Sequence, residues 1–323
     1  MSVLVLTSGG GAPGMNAALR AVTRSVINHK REIFSCSEGF KGLIQGDFSK
    51  LSLRSVANII HRGGTVIKTS RCDEFRTVEG RALAHKNLKS HGIDAIIGLG
   101  GEGTISGLKD FNKEHPDIQV VGVPCTIDND YEFSAKTIGF STAVETAVEA
   151  IDKIRDTASS HQRTFVIEVM GRKSTHLAYA VALAAGAEYV VDLSDDLSLK
   201  GCVARVKESI EKGKLSSLIV TLEKEGSDSS SAVEVKAALK SQLDIDCKSL
   251  VLGHIQRGGS PLASDRLLAS RMGFAAAEAV CSGEQSGVTV EVDNTVLFKS
   301  FESLKTVNLN PQKDKDLLKT LAN

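Results

Sequence analysis

Val120-Val121-Gly122-Val123-Pro124-Cys125-Thr126-Ile127-Asp128-Asn129-Asp130 decides how this chain is read. The run from Val120 to Val123 is short and apolar, as in a strand buried on both faces of a parallel sheet. A hydroxyl and two carboxylates then leave the strand's carboxyl end together, with Pro124 stiffening the exit. In an open α/β sheet that edge is where ligands bind. Asp128 and Asp130 stand two apart, so extended backbone points them the same way and a turn lets them diverge. Either arrangement suits work on a cation and on a hydroxyl proton. The plainer reading is an Asx-rich turn that satisfies only its own backbone.

Working outward, the same grammar recurs. Val3-Leu4-Val5-Leu6 predicts a first strand, and Thr7-Ser8-Gly9-Gly10-Gly11-Ala12-Pro13-Gly14 a loop before a helix from about Asn16 to Asn28. Strand, glycine loop and helix start form a phosphate-cradle pattern, although neither a Gly-Lys-Ser/Thr closure nor GxGxxG is present. The strand Ala95–Leu99 leads into a second such loop, Gly100-Gly101-Glu102-Gly103-Thr104, and a helix from Ile105 to Asn112. A carboxylate between glycines reads as a Mg²⁺-side residue of a nucleotide site, or as a helix-capping acid, with Thr104 a second capping candidate.

Between these come Ile33–Ser35, a loop Gly39-Phe40-Lys41-Gly42, a helix Ser55–Arg62, a glycine turn at Gly63-Gly64 and a helix Arg81–His91. Downstream, the pattern predicts helix Ala143–Arg155, a polar turn Ser159-Ser160-His161-Gln162-Arg163 and strand Thr164–Val169 ending at Met170-Gly171-Arg172. Strands Tyr189–Val191, Leu218–Leu222 (ending at Glu223), Ser249–Leu252 and Gly287–Val292 alternate with helices, and a terminal helix closes the chain. This alternation predicts an α/β fold with largely parallel, doubly wound sheets. Gly10, Glu102, Asp128, Arg172, Glu223 and His254 all fall at strand exits. Two carboxylates for a metal, one more for a hydroxyl, and arginines for phosphate describe phosphoryl transfer to a phosphorylated polyol.

Composition narrows the classes. The 323 residues carry 39 basic and 39 acidic side chains, so no field of one sign favours nucleic acid or an anionic membrane. No apolar run reaches transmembrane length, and the start of the chain lacks a signal-peptide pattern. Six scattered cysteines without a CxxC pair point to reduced thiols in a cytoplasmic protein. His161 and His254 have no Cys or His partners at metal-ligand spacing.

The chain resembles the phosphofructokinase family in its compact, bacterial-type, ATP-dependent form. The segments that carry the resemblance run in family order over nearly the whole chain. They are Leu6–Gly10, Ala12–Asn16, Gly100–Gly103, Thr126–Asp130, Ser159–Arg163, Met170–Arg172 and Gly253–Pro261. The loop Gly100–Thr104 is also related to one in NAD kinases and diacylglycerol kinases, which lack the later motifs.

The resemblance implies Mg²⁺- and ATP-dependent phosphorylation of fructose 6-phosphate to fructose 1,6-bisphosphate, a step of glycolysis. It places Gly10, Arg71, Cys72, Gly101, Gly103 and Thr104 around ATP, and Glu102 where the family's Mg²⁺ aspartate stands. Asp128 matches the base for the sugar's 1-hydroxyl, with Asp130 beside it, while Thr126 and Arg172 match groups holding substrate and the transferring phosphoryl. Met170, Gly171, Glu223, His254 and Arg257 match the sugar-phosphate pocket. Arg163 and Lys248 match residues reaching it from a neighbouring subunit, which implies a homotetramer. Arg20, Arg24, Arg155, Glu188, Lys212 and Lys214 match an effector site for ADP or phosphoenolpyruvate. Two domains with an active-site cleft between them are implied: residues 1–140 with 256–303 for the nucleotide, and 141–255 with 304–323 for the sugar phosphate.

Departures from the pattern are Gly11, Glu102 and Asn58 for aspartates, Lys248 for an arginine, and Ser174-Thr175-His176 for a Gly-Asp pair. Cys125 stands where ATP users carry glycine and pyrophosphate users lysine. Gly103 favours ATP, because an aspartate there would repel the α-phosphate. A degenerate, ligand-binding regulatory subunit and a pyrophosphate-dependent enzyme are the alternatives.

Overall fold

The computed structural model describes residues 2–161, 163–171, 174–214, 216–224, 229–307 and 311–322. The chain forms two compact units, Met1–Thr142 with Arg257–Asn308, and Ala143–Gln256 with Leu309–Asn323. In chain order the first unit's strands begin with β1 (Ser2–Thr7), β2 (Glu32–Cys36), β3 (Phe48–Lys50), β4 (Ile93–Gly100), β5 (Gln119–Thr126) and β6 (Ile138–Gly139). The second unit holds β7 (Thr164–Val169), β8 (Tyr189–Val191), β9 (Leu218–Leu222) and β10 (Cys247–Val251). The chain then returns for β11 (Gly287–Val292) and β12 (Thr295–Ser300).

The first sheet runs β12-β11-β5-β4-β1-β2-β3, with β6 paired to β5. Its centre is parallel, and β3 and β12 close the two edges antiparallel. Leu4, Leu6, Ile96 and Val120 from its strands pack with Phe40, Phe75 and Phe111 in one core. The second sheet, β10-β7-β9-β8, is parallel throughout. Val166, Val191 and Ile219 pack there with Val206, Val235 and Leu239 from two helices.

The predicted strands are present, but β3, β6 and β12 stand where the sequence predicts no strand; the other departures are local. Residues 55–62 form successive turns instead of a helix, with Asn58 at φ 54°. Phe40–Gln45, read as part of a loop, is a short helix. The helix after β4 begins at Glu102, so Glu102, Gly103 and Thr104 are its first turn instead of a loop. The helix from Phe140 runs to His161, so Ser159–His161 belong to it and not to a turn; Gln162 lies outside the described residues. Among the described residues no helix is long and apolar enough to cross a membrane. All six cysteines are free thiols.

Candidate active site

Strand order makes the site. β1 and β4 are neighbours, but β1 feeds the helix Met15–Asn28 and β2 on one side, while β4 feeds the helix Glu102–Glu114 and β5 on the other. The two chain exits diverge and leave a crevice at their carboxyl ends, the place where open α/β sheets take ligands. Both glycine loops open there. Ser8 N–H donates to Leu99 O at 3.0 Å, fastening one exit to the other. A Cβ on Gly100 would sit 2.4 Å from Thr104 Oγ1 and 2.5 Å from Ser8 O, so only glycine permits this approach. In front of Gly11 and Gly103, by contrast, the space is open.

Gly101 begins the helix Glu102–Glu114 without a side-chain cap. The helix's first N–H groups and its dipole are thereby available to an anion. Thr104 is buried beneath, against Gly100, and does not cap. Glu102 is exposed at the first helical position. Burial, and after it the charge of Glu102, push the Tyr131 hydroxyl up. Among the described residues no cluster of three His, Cys, Asp or Glu side chains suits a metal. A lone Glu102 still fits Mg²⁺, which keeps several waters and binds through one or two carboxylates plus substrate phosphates.

β5 delivers the third exit beside these loops, a Cβ on Gly101 lying 3.5 Å from Thr126 Cβ. The turn alternative holds: Asn129 adopts φ 47°, and Asp128 is buried while Asp130 is exposed. The two carboxylates therefore part company. Thr126 Oγ1 accepts from Asp128 N–H at 3.1 Å, and Asn129 Oδ1 accepts from Thr137 N–H at 2.9 Å. Cys125 is buried in β5, and burial, followed by the charge of Asp265, pushes its thiol up. Small and uncharged, it brings no cation to this exit.

Arg257 lies with its guanidinium against Gly10, 2.2 Å from where a Cβ would stand. In this unit it therefore borders the first glycine loop, whereas the resemblance assigns it to the sugar phosphate. Arg71 is exposed and Cys72 half-buried on the segment after Thr69, whose hydroxyl donates to Gly9 O at 3.0 Å.

In the second unit three strand exits are adjacent. Glu223 N–H donates to Val169 O at 2.9 Å and Leu252 N–H to Glu168 O at 3.0 Å, drawing the ends of β9 and β10 against β7. Met170 and Gly171 follow β7 directly and Glu223 follows β9, while His254 lies in the single helical turn Gly253–Arg257 just past β10; Arg172 lies outside the described residues. Arg163, exposed, precedes β7, and Lys248 on the edge strand β10 stands 3.6 Å from Asp246. Of the effector candidates, Arg20 and Arg24 are on the first unit's helix Met15–Asn28. In the second unit Glu188 takes Lys214 and the Leu218 N–H, Arg155 donates to Ala185 O, and Lys212 pairs with Glu208 at 2.6 Å.

Sequence reasoning missed the residues that hold these exits. Gln256 accepts from Met170 N–H at 2.9 Å, and Asp265 accepts from Gly139 N–H at 3.0 Å and Thr142 N–H at 2.7 Å. Asn16 braces the turn after Arg62, accepting from Val66 N–H and donating to the Arg62 and Gly63 carbonyls. Asn16 and Gln256 fall within the segments Ala12–Asn16 and Gly253–Pro261, which assign them no role; Asp265 gives no sign except its burial, which is not visible in sequence.

The family profile described as phosphofructokinase matches residues 2–280. Over 309 residues the chain is 48% identical to ATP-dependent 6-phosphofructokinase 1 of Thermus thermophilus, covering 94% of this chain and 95% of that one. An ATP-dependent 6-phosphofructokinase of Bacillus subtilis is 48% identical over 293 residues, 91% of this chain and 90% of its own. The phosphofructokinase structure from Saccharomyces cerevisiae superimposes with a TM-score of 0.85 at 33% identity over 99% of this chain, which spans 48% of the yeast chain. A pyrophosphate-dependent phosphofructokinase from Marinobacter aquaeolei shares the fold, with a TM-score of 0.81 at 19% identity over 99% of this chain and 91% of its own.

Proposed function

We propose, because the chain belongs to the phosphofructokinase family, that it transfers the terminal phosphoryl group of ATP to the 1-hydroxyl of fructose 6-phosphate. The observation that carries this reading is the meeting of three strand exits, two built of glycine and one holding the buried Asp128. Nucleotide phosphates suit the glycine loops and the uncapped helix start at Gly101, with Gly10, Gly103, Thr104, Arg71 and Cys72 around them. The open space at Gly103 leaves room for a phosphate, and glycine puts no carboxylate of its own there. This favours ATP over pyrophosphate as donor.

Asp128 takes the proton of the 1-hydroxyl as the new oxygen–phosphorus bond forms and the bond to the bridging oxygen of ADP breaks. Thr126 and Arg172 steady substrate and the moving phosphoryl, and Asp130 adds negative charge at the mouth. Glu102 would hold Mg²⁺, which when bound neutralises charge on the phosphate oxygens. Met170, Gly171, Glu223 and His254 are assigned to the sugar phosphate, while Arg257, against Gly10, is assigned to the glycine-loop side. Arg163 and Lys248 are assigned to the sugar phosphate of a neighbouring subunit in a cytoplasmic homotetramer. ADP or phosphoenolpyruvate is assigned to the basic set with Glu188. A rate assay with fructose 6-phosphate and either ATP or pyrophosphate tests the reading. Fructose 1,6-bisphosphate should form with ATP; formation with pyrophosphate alone, or with neither, overturns it.

A further inference from the structure

We infer that Thr137 and Asn129 are positioning residues for this reaction, a clamp that fixes where Asp128 presents its carboxylate. The inference rests on the reading of Asp128 as the base. Thr137 is 1% exposed and Asn129 5% exposed. The Thr137 hydroxyl lies 2.8 Å from Thr126 O, to which it donates, and 3.1 Å from Asn129 Oδ1. Asn129 Oδ1 also accepts from Thr137 N–H at 2.9 Å, and Asn129 Nδ2 donates to Ala135 O at 3.2 Å. Thr126 Oγ1 meanwhile accepts the amide proton of Asp128 itself. Asp128 is thus bracketed, with Thr126 before it and Asn129 after it both tied to one threonine.

The far side of the clamp is fixed as well. Ile138 and Gly139 pair with Cys125 and Thr126, and Asp265 holds the amides of Gly139 and Thr142. Asn129 is the residue in the left-handed region, a conformation that asparagine tolerates and most side chains do not. The Asp-Asn-Asp stretch therefore divides its labour. The middle residue bends and anchors the chain, and the first is placed for chemistry. General-base catalysis depends on such placement, and a shift of about 1 Å can cost about 100-fold in rate.

The test is a double-mutant cycle on kcat and on the fructose 6-phosphate concentration giving half-maximal rate. Thr137→Val keeps the shape and removes the hydroxyl; Thr137→Ser restores it. Thr137→Val should lower kcat roughly 10- to 100-fold with half-saturation changed less than about threefold, and Thr137→Ser should recover most of the loss. In an Asp128→Asn background Thr137→Val should lower kcat by less than about twofold, because the placed group is gone. Asn129→Gly, which accepts the left-handed backbone and lacks the amide, should repeat the pattern and serves if Thr137→Val does not fold. Parent-like kcat in Thr137→Val, or an equal loss in the Asp128→Asn background, overturns the clamp while leaving Asp128 as base. Parent-like kcat in Asp128→Asn overturns the base and the clamp together.

Discussion

Glu102 shows how a single methylene matters at the residue scale. It stands exposed at the first turn of its helix, where the family pattern has the shorter aspartate. Mg²⁺ wants short, near-octahedral oxygen ligands, so Glu102→Gln should raise the Mg²⁺ concentration needed for half-maximal rate several-fold. An unchanged Mg²⁺ dependence would reduce Glu102 to a helix-start acid. At this scale the sequence made the actors visible and hid their supports. An acid at a strand exit is legible because strand and exit are local patterns. Asp265, however, acts on Gly139 and Thr142 across a gap that only folding closes, and so does Gln256 on Met170. Whether Asp128 and Asp130 share a direction hung on the φ of Asn129, which no spacing rule supplies.

At the scale of elements, misreadings trace to glycine, asparagine and edges. Val56, Ile59 and Ile60 have helical spacing, and Val56 and Ile59 are indeed buried, yet left-handed Asn58 breaks the helix. The glycines around Phe40 hid a six-residue helix held by stacking of Phe40 on Phe75, with ring centroids 4.0 Å apart. Asp293-Asn294, both at positive φ, is a two-residue hairpin turn from β11 into β12, an edge strand that the sequence reading leaves out. The helix Glu102–Glu114 is anchored at its far end from the glycine loop. There Arg81, largely buried, forks onto Glu114 at 2.6 and 2.7 Å and donates to the Phe75 and Arg76 carbonyls. Arg81→Met should cost about 2 kcal/mol, read as a lower urea midpoint; an unchanged midpoint would refute the anchor. The Arg81 hydrogen bond holds the Glu114 carboxyl below its ordinary range. Its stabilisation is present above the unfolded pKa and is lost as pH falls, so the gap between parent and variant should narrow below about pH 4.

For the whole molecule, strand–helix alternation was enough to foretell α/β architecture with mostly parallel sheets. It could not foretell that β4 and not β2 lies on the β5 side of β1, because a crossover connection does not name its neighbour. That order creates the crevice. Assembly is probed by Lys248, half-exposed on the edge strand β10. An ammonium is a hydrated point charge, whereas a guanidinium forks onto two phosphate oxygens. If Lys248 reaches a neighbouring subunit's sugar phosphate, Lys248→Arg should lower the half-saturating fructose 6-phosphate concentration several-fold, a gain on the order of 1 kcal/mol. No change, with assembly intact, would place Lys248 outside the site. The central claim, that the buried carboxylate where three strand exits meet takes the hydroxyl proton, is tested most directly by the turnover of Asp128→Asn with saturating ATP and fructose 6-phosphate. A kcat lowered by roughly 10²- to 10⁴-fold with fructose 6-phosphate affinity nearly kept is the expected result. Turnover equal to the parent's would contradict it.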